Sequence, residues 1–382
     1  MDHVRPSSGE GSRQAVVSDV MDALGDAFPW ELAGEGDGSG LLLGTLQAPV
    51  SRVLCSVELT SESVEAAAAS RCEVLVVHHP HMLSRAKAPL DAGTPGGRLA
   101  RKAADAGLNI IACYSPADLA AGGAADLMAR TLGMSGARPL VPSTRAFIGR
   151  VVVFVPPDAV GRVSSAMAGA GAGIIGDYTQ CFFESSGAGI FLPGEGAKPH
   201  AGVAGRLDRV DEVRLETVCP SFRLGRVTAA MIEAHPYEEV AYDVYRTESD
   251  VPWGSGRIGE LTRERTPVDL LEAMAAWCGS QDAVLVGEPD RAVTRVAVAP
   301  GPCDKLIEQA WRQGAEVLIA GEAGWHATVE ACEVGLALIT LGHLESEREL
   351  VPVFRDVIRL ASAAVGWGME VEGYQDQGGR WG

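Results

Sequence analysis

A chain of 382 residues, 47% hydrophobic and 21% charged, has the composition of a globular protein and the length for two or three domains. Its 32 Lys plus Arg against 50 Asp plus Glu leave a net charge of −18, which disfavours nucleic acid or an anionic membrane as main partner, since both bind clustered positive charge. No apolar stretch is long enough to span a bilayer, the polar start MDHVRPSSGEGSRQ holds no secretory h-region, and the eight scattered cysteines form no C-x-x-C pair, so reduced core thiols in a cytoplasmic protein are expected.

Residues 1–13 read as a disordered lead-in, and 14–145 as a first α/β half. Val16–Phe28 has a helix pattern, and Glu35–Gly40 is a Gly-rich turn. Strands follow at Val53–Leu59, Val74–Val77 and Leu108–Tyr114, alternating with helices at Ser61–Ser70, Gly97–Ala106 and Ala124–Leu132. That alternation points to a mostly parallel sheet with helices on its faces. The texture changes over 146–253. Strands at Phe147–Val155, Cys181–Phe183, Val213–Val218 and Val240–Tyr245 flank helices at Asp158–Gly169 and Leu224–Ala234. This β-α-β…β-α-β order is that of a ferredoxin-like α+β module. Over 254–382 the α/β alternation returns, with a segment opening at Gly256. Helices are expected at Pro267–Trp277 and Cys303–Gln313, strands at Val293–Val298, Val317–Ile319 and Leu336–Thr340. One helix then runs from about Glu345 to Ala364, and YQDQGGRWG closes as a loose tail. The expected fold is therefore one α/β domain in two similar halves, interrupted by an inserted α+β module.

Two apolar runs deliver metal-ligand side chains. VLVVHHP at Val74–Pro80 ends in His78 and His79; LITLGHLESE at Leu338–Glu347 delivers His343 and Glu347. Imidazole and carboxylate hold divalent ions, and both clusters lie past the carboxyl ends of strands, where open α/β sheets place ligands. Neighbours on a strand point to opposite faces, yet at a strand end followed by Pro80 both rings can turn to one cavity. His343 and Glu347, four apart at a helix start, share one face. Asp118, in a loop after LNIIACY, is a carboxylate able to bridge two ions. Each cluster alone also reads as a core histidine, a helix-start histidine or a capping aspartate. Together they make a composite metal site.

These residues carry a resemblance. The strand-plus-HHP at Val74–Pro80, the GG loop at Asp118–Gly123, AGEAGWH at Ala320–His326 and GHLESE at Gly342–Glu347 resemble the Nif-three-like dinuclear metal-binding family, often labelled GTP cyclohydrolase 1 type 2 homologues. Val151–Pro156, Gly171–Phe183 and HPYEEVAYD at His235–Asp243 resemble the insert of its longer members. The likeness runs from about Val16 to Ala364. It implies two divalent ions per subunit (zinc, iron or manganese) on His78, His79, Asp118, His343 and Glu347. It also implies a toroidal homohexamer and an insert like the small signalling proteins of the PII and CutA type. Two departures stand out. The family's usual His-Thr before the loop aspartate is absent, the shortened segment reading Ser115-Pro116-Ala117-Asp118. Where the family often has Asp, this chain has Glu58 and Glu322, and one extra methylene shifts the carboxylate oxygens.

Other candidates are peripheral. His81 is structural or an outlying ligand. His326 is either close to the metals or a helix-face histidine, and with Glu322 it is a candidate proton carrier. His235 shapes a turn. Gly171, Gly173 and Gly176 spell a dinucleotide fingerprint but follow a helix and precede a strand, the wrong context. Gly301 lies at a possible anion site, where Pro302 removes one donor. No Walker A loop and no G-x-S-x-G occur. Two functions fit: a metal-dependent hydrolase of a nucleotide or phosphate-bearing small molecule, or a non-catalytic metal-binding hexameric scaffold or regulatory sensor.

Overall fold

Apolar runs too short for helices and rich in Val and Ile make the central strands of this protein. The structure, a computed structural model, describes residues 13–80, 83, 91 and 93–375. His81, most of the segment after it, the lead-in up to residue 12 and the tail from residue 376 lie outside the described residues. The described residues up to Ser143 and from Pro252 onward form one compact unit; Thr144–Val251 form a second.

In the first unit, β1 (Gly40–Leu43), β2 (Arg52–Glu58), β3 (Val74–His79) and β4 (Asn109–Ala112) build a sheet, and β5 (Met134–Pro142) leaves it for another. β2, β3 and β4 are parallel. Every residue of β3 and β4 is buried, which is why they read as unbroken apolar runs rather than alternating ones.

The second unit has β6 (Ile148–Val155), β7 (Phe182–Phe191), β8 (Asp208–Pro220) and β9 (Tyr242–Arg246) in the order β7-β8-β6-β9, antiparallel throughout. The helices Val160–Gly169 and Leu224–Ala234 place Val163, Met167, Val227 and Met231 against Val151, Val153 and Leu215 of that sheet. This is the split β-α-β arrangement expected from the element order.

The first unit resumes with β10 (Gly254–Arg265), β11 (Val284–Val286), β12 (Val293–Pro302), β13 (Val317–Glu322), β14 (Ala337–Thr340) and β15 (Glu370–Gly373). Its second sheet has the order β11-β14-β13-β12-β10-β5, its first β1-β4-β3-β2-β15. The registers repeat. Val74 of β3 pairs with Val53 and Asn109, as Val317 of β13 pairs with Val296 and Ala337. Antiparallel edges match too: Gly40 faces Ala112 and Val284 faces Thr340. By this register His78 and His79 occupy the places of Gly321 and Glu322.

The two halves also trade elements. The helix Ala124–Leu132 packs Met128 and Leu132 against Leu261, Val296 and Val298 of the second sheet, and β5 joins that sheet beside β10. Reciprocally, the helix Leu350–Val365 lies on β2 of the first sheet, with Phe354 edge-on to Phe28 at 5.5 Å, and β15 pairs with β2.

The structure corrects several expectations. Asp118 lies not in a loop but in a short helix, Ser115–Leu119. The single helix from Glu345 is two, His343–Glu347 and Leu350–Val365, because Pro352 has no N–H for the Arg348 carbonyl and a continuous helix cannot pass it. The helix expected from Cys303 begins at Ile307, since β12 extends through Pro302. β7 and β8 are far longer than the apolar runs that mark them, most of their added residues lying at the surface. β1, β5, β11, β15 and the helix Trp325–Glu333 were not anticipated. All eight cysteines are free thiols, and among the described residues no helix is long and apolar enough to cross a membrane.

Candidate metal centre

β3 ends in two buried histidines whose rings lie 4.5 Å apart between centroids and tilted by 39°. The strand end thus turns both rings to one side, against the alternation a continuing strand would impose. Behind them the Nδ1 atoms are anchored. His78 Nδ1 donates to the Cys113 carbonyl at 3.1 Å, and His79 Nδ1 lies 2.6 Å from Glu58 Oε1, across the β2–β3 pair. Because a carbonyl only accepts, a neutral His78 carries its proton on Nδ1, which leaves the Nε2 lone pair free.

The Nε2 atoms face the carboxylates. His78 Nε2 is 3.3 Å from Asp118 Oδ1 and 3.8 Å from Glu347 Oε2. Glu347 Oε2 is also 3.0 Å from His79 Nε2 and 3.5 Å from His343 Nε2. His343 Nδ1 in turn lies 3.1 Å from Glu322 Oε1. Three histidines therefore face one carboxylate oxygen, and the donor atoms of His78, His79 and Glu347 lie within 4.8 Å of one another. Asp118 adjoins that trio through His78, and His343 through Glu347.

Burial decides what this cluster is for. Glu347 is 3% exposed and His78 fully buried, yet His78 Nε2, Asp118 Oδ1 and Glu347 Oε2 have no hydrogen-bond partner. Each unpartnered buried polar atom costs about 1–3 kcal/mol, and three converge here. A cation satisfies all three at once. The set of imidazole nitrogens and carboxylate oxygens fits zinc, iron or manganese. Without a cation the histidines take protons instead. Burial opposes charge on His79, but the Glu347 and Glu58 carboxylates beside its ring outweigh it and raise its pKa to about 9. Burial likewise opposes charge on His78, and the Asp118 and Glu347 carboxylates raise it well above the ordinary value. Glu347 is held below the usual carboxylate range: the two histidines overcome the effect of its burial.

Glycines let the second ligand segment approach. A Cβ on Gly321 would lie 2.5 Å from Ser346 Oγ and 2.8 Å from the Gly301 backbone; one on Gly301 would lie 2.7 Å from Glu347 Oε1. Ser346 Oγ accepts from Gly301 N at 3.0 Å and donates to the His343 carbonyl at 2.8 Å. The helix His343–Glu347 is thereby clamped onto the ends of β12 and β13. Gly301 thus serves this approach, with a Glu347 carboxylate beside it where an anion was considered.

Sequence reasoning missed Gly321, Ser346 and Tyr114, whose ring stands edge-on to both His78 and His79 at 5.7 Å. Tyr114 caps the Asp118 helix, and its place directly after the buried β4 run was the available signal. His326 is exposed in the first turn of Trp325–Glu333 and forms no hydrogen bond or ion pair among the described residues. His235 sits at a turn, its Nε2 donating to the Phe154 carbonyl and its Nδ1 accepting from Tyr237 N. Gly171, Gly173 and Gly176 all have positive φ in the turn after a helix.

The model of the family described as Duf34/NIF3 (NGG1p interacting factor 3) matches residues 15–377. A Halalkalibacterium halodurans protein named GTP cyclohydrolase 1 type 2 homolog is 36% identical over 316 residues, 82% of this chain and 85% of the relative. A Mycobacterium tuberculosis protein of the same name is 34% identical over 337 residues, 87% of this chain and 88% of the relative. The crystal structure of a Bacillus cereus protein related to NIF3 superposes with a TM-score of 0.85 at 34% identity, covering 96% of this chain and 98% of the other. By sequence and by fold alike, this chain belongs to the Duf34/NIF3 family.

Proposed function

We propose that this protein is a dinuclear metal-dependent hydrolase acting on a nucleotide or another phosphate-bearing small molecule. The observation that carries this reading is the approach of His78, His79 and His343 to Glu347 Oε2, with Asp118 beside His78 and three buried polar atoms left unpartnered. The name borne by its relatives, GTP cyclohydrolase 1 type 2 homolog, favours a purine nucleotide. His78, His79, Asp118, His343 and Glu347 would hold two divalent ions. When bound, such a pair supplies Lewis acidity and activates water for attack. The chain's own residues do the rest. Cys113, Glu58 and Glu322 orient the three imidazoles through their Nδ1 atoms. Glu322, half exposed beside His343, is the proposed proton carrier at the rim, and His326 a second candidate. Tyr114 walls the histidines on one side.

Metal content per chain, measured by elemental analysis together with turnover over a nucleotide and phosphoester panel, tests this reading. Close to two ions per chain and turnover that collapses in Glu347→Gln are expected. Metal without turnover on any substrate would replace the hydrolase with the scaffold or sensor. That second reading draws support from the Thr144–Val251 unit, which has its own core and exposes Ile190, Leu192 and Leu207. We infer for it a PII- or CutA-like regulatory role within a homohexamer of a cytoplasmic protein; the mass in solution checks the assembly.

A further inference from the structure

The donor atoms fall into two sets that share Glu347 Oε2. One is His78 Nε2 with Asp118 Oδ1, 3.3 Å apart. The other is His79 Nε2 and His343 Nε2, at 3.0 and 3.5 Å from the shared oxygen. The sets differ in donor type, one nitrogen and one carboxylate against two nitrogens. They differ more in what stands behind the imidazoles. His78 Nδ1 rests on a neutral carbonyl, that of Cys113. His79 and His343 Nδ1 each face a carboxylate, Glu58 at 2.6 Å and Glu322 at 3.1 Å.

A carboxylate behind a ligand imidazole makes its far nitrogen a stronger donor than a carbonyl does, because it offsets the positive charge the ring acquires on binding a cation. Nitrogen-rich sets favour zinc and its neighbours over harder ions. Charge counting points the same way. Glu58, Asp118, Glu322 and Glu347 bring four negative charges and balance two dications. Among the described residues, the Glu58 and Glu322 carboxylates contact only imidazoles, and both stand behind the same set.

We propose that the two metal positions are inequivalent and fill in order. The His79–His343 position binds zinc first and more tightly because Glu58 and Glu322 support it, and the His78–Asp118 position fills second. This rests on the two-ion reading above and adds a role for the two glutamates, as positioning residues that set affinity at one ion alone.

The test uses the full chain stripped of metal and dialysed against a buffered series of free zinc concentrations, with zinc per chain read by elemental analysis. Wild type should take up two ions in two resolved steps. Glu58→Gln with Glu322→Gln should weaken the tighter step about 10–100-fold and leave the looser one in place. Asp118→Asn should do the reverse, removing the looser step only. Glu58 is half-buried and Glu322 exposed, with side chains 38% and 56% accessible, so their replacement leaves the core intact, and circular dichroism verifies this. A single undivided two-ion step, or a glutamine pair that weakens the looser step or neither, overturns the ordering while leaving two ions standing. Wild type that binds one ion or none overturns the two-ion reading itself.

Discussion

Arg257 grips both carboxylate oxygens of Asp126, with Nε 2.6 Å from Oδ1 and Nη2 2.9 Å from Oδ2. Its remaining donors go to the carbonyls of Gly254, Gly256 and Ala120. The guanidinium is almost wholly buried, and Ala120 lies two residues past Asp118. Through it, β10 of the second sheet holds the end of the Asp118 helix. Asp126→Ala leaves a buried cation without its counter-charge and is expected to cost about 3–5 kcal/mol, read as a lowered urea midpoint. A loss below about 1 kcal/mol would put the pair in the class of surface ion pairs.

Gly321→Ala tests the close approach of the second ligand segment. The added methyl meets backbone at Gly301 as well as Ser346 Oγ, so one flexible side chain cannot absorb it. Overpacking of this kind costs about 1–3 kcal/mol. The strain falls on the helix carrying His343 and Glu347, so metal per chain should drop in protein that is still folded. Full metal loading in the variant would show that the helix adjusts freely.

The pH response has opposite signs with and without metal. In the metal-free chain His78 and His79 have raised pKa values, His79 to about 9. A raised histidine stabilises the folded state fully below its unfolded value near 6.5, and that contribution disappears as pH rises through the folded value. Stability of the metal-free chain should therefore fall between about pH 6.5 and 9. Metal uptake must displace the same protons, so apparent affinity should rise across that window with protons released. Unfolding midpoints and metal titrations at several pH values check both; a metal-free midpoint that rises with pH contradicts the assignment.

The Thr144–Val251 unit interrupts a hairpin. Pro142 of β5 is paired with Gly254 of β10, and Ser143 N donates to the Trp253 carbonyl at 3.1 Å. Residues 144–251 can be replaced by a short glycine-containing turn without breaking this ladder. The shortened chain is expected to fold cooperatively and to bind as much metal as the full chain, as circular dichroism and elemental analysis would show. Failure to fold would mean that the first unit depends on the second.

Much of this site was legible because ligands at strand ends are marked by the apolar runs before them. His78 and His79 follow four buried residues of β3, and His343 follows β14. What escaped was written in tertiary contact. Gly321 has an ordinary backbone conformation, and only Ser346 Oγ and the Gly301 backbone forbid a side chain there. The outer ladder of β7 and β8 lacks apolar alternation, because both strands face solvent there. The greater length of Glu58 was expected to shift its oxygens, yet its carboxylate reaches His79 Nδ1 at 2.6 Å. The break between His343–Glu347 and Leu350–Val365 has a sequence signal of its own in Pro352.

The exchange of β5 and β15 between sheets bears on how the chain is made. Synthesis proceeds from the amino end, and domains usually fold as they emerge. Here the first sheet obtains its edge strand from residues 370–373, and β5 has no ladder until β10 appears. A nascent chain stalled before its final strand would hold His78 and His79 on an unfinished sheet, exposed to whatever ions the cell offers. The segment carrying His343 and Glu347 also comes late in the chain, so the cluster around Glu347 is assembled only when synthesis is nearly complete.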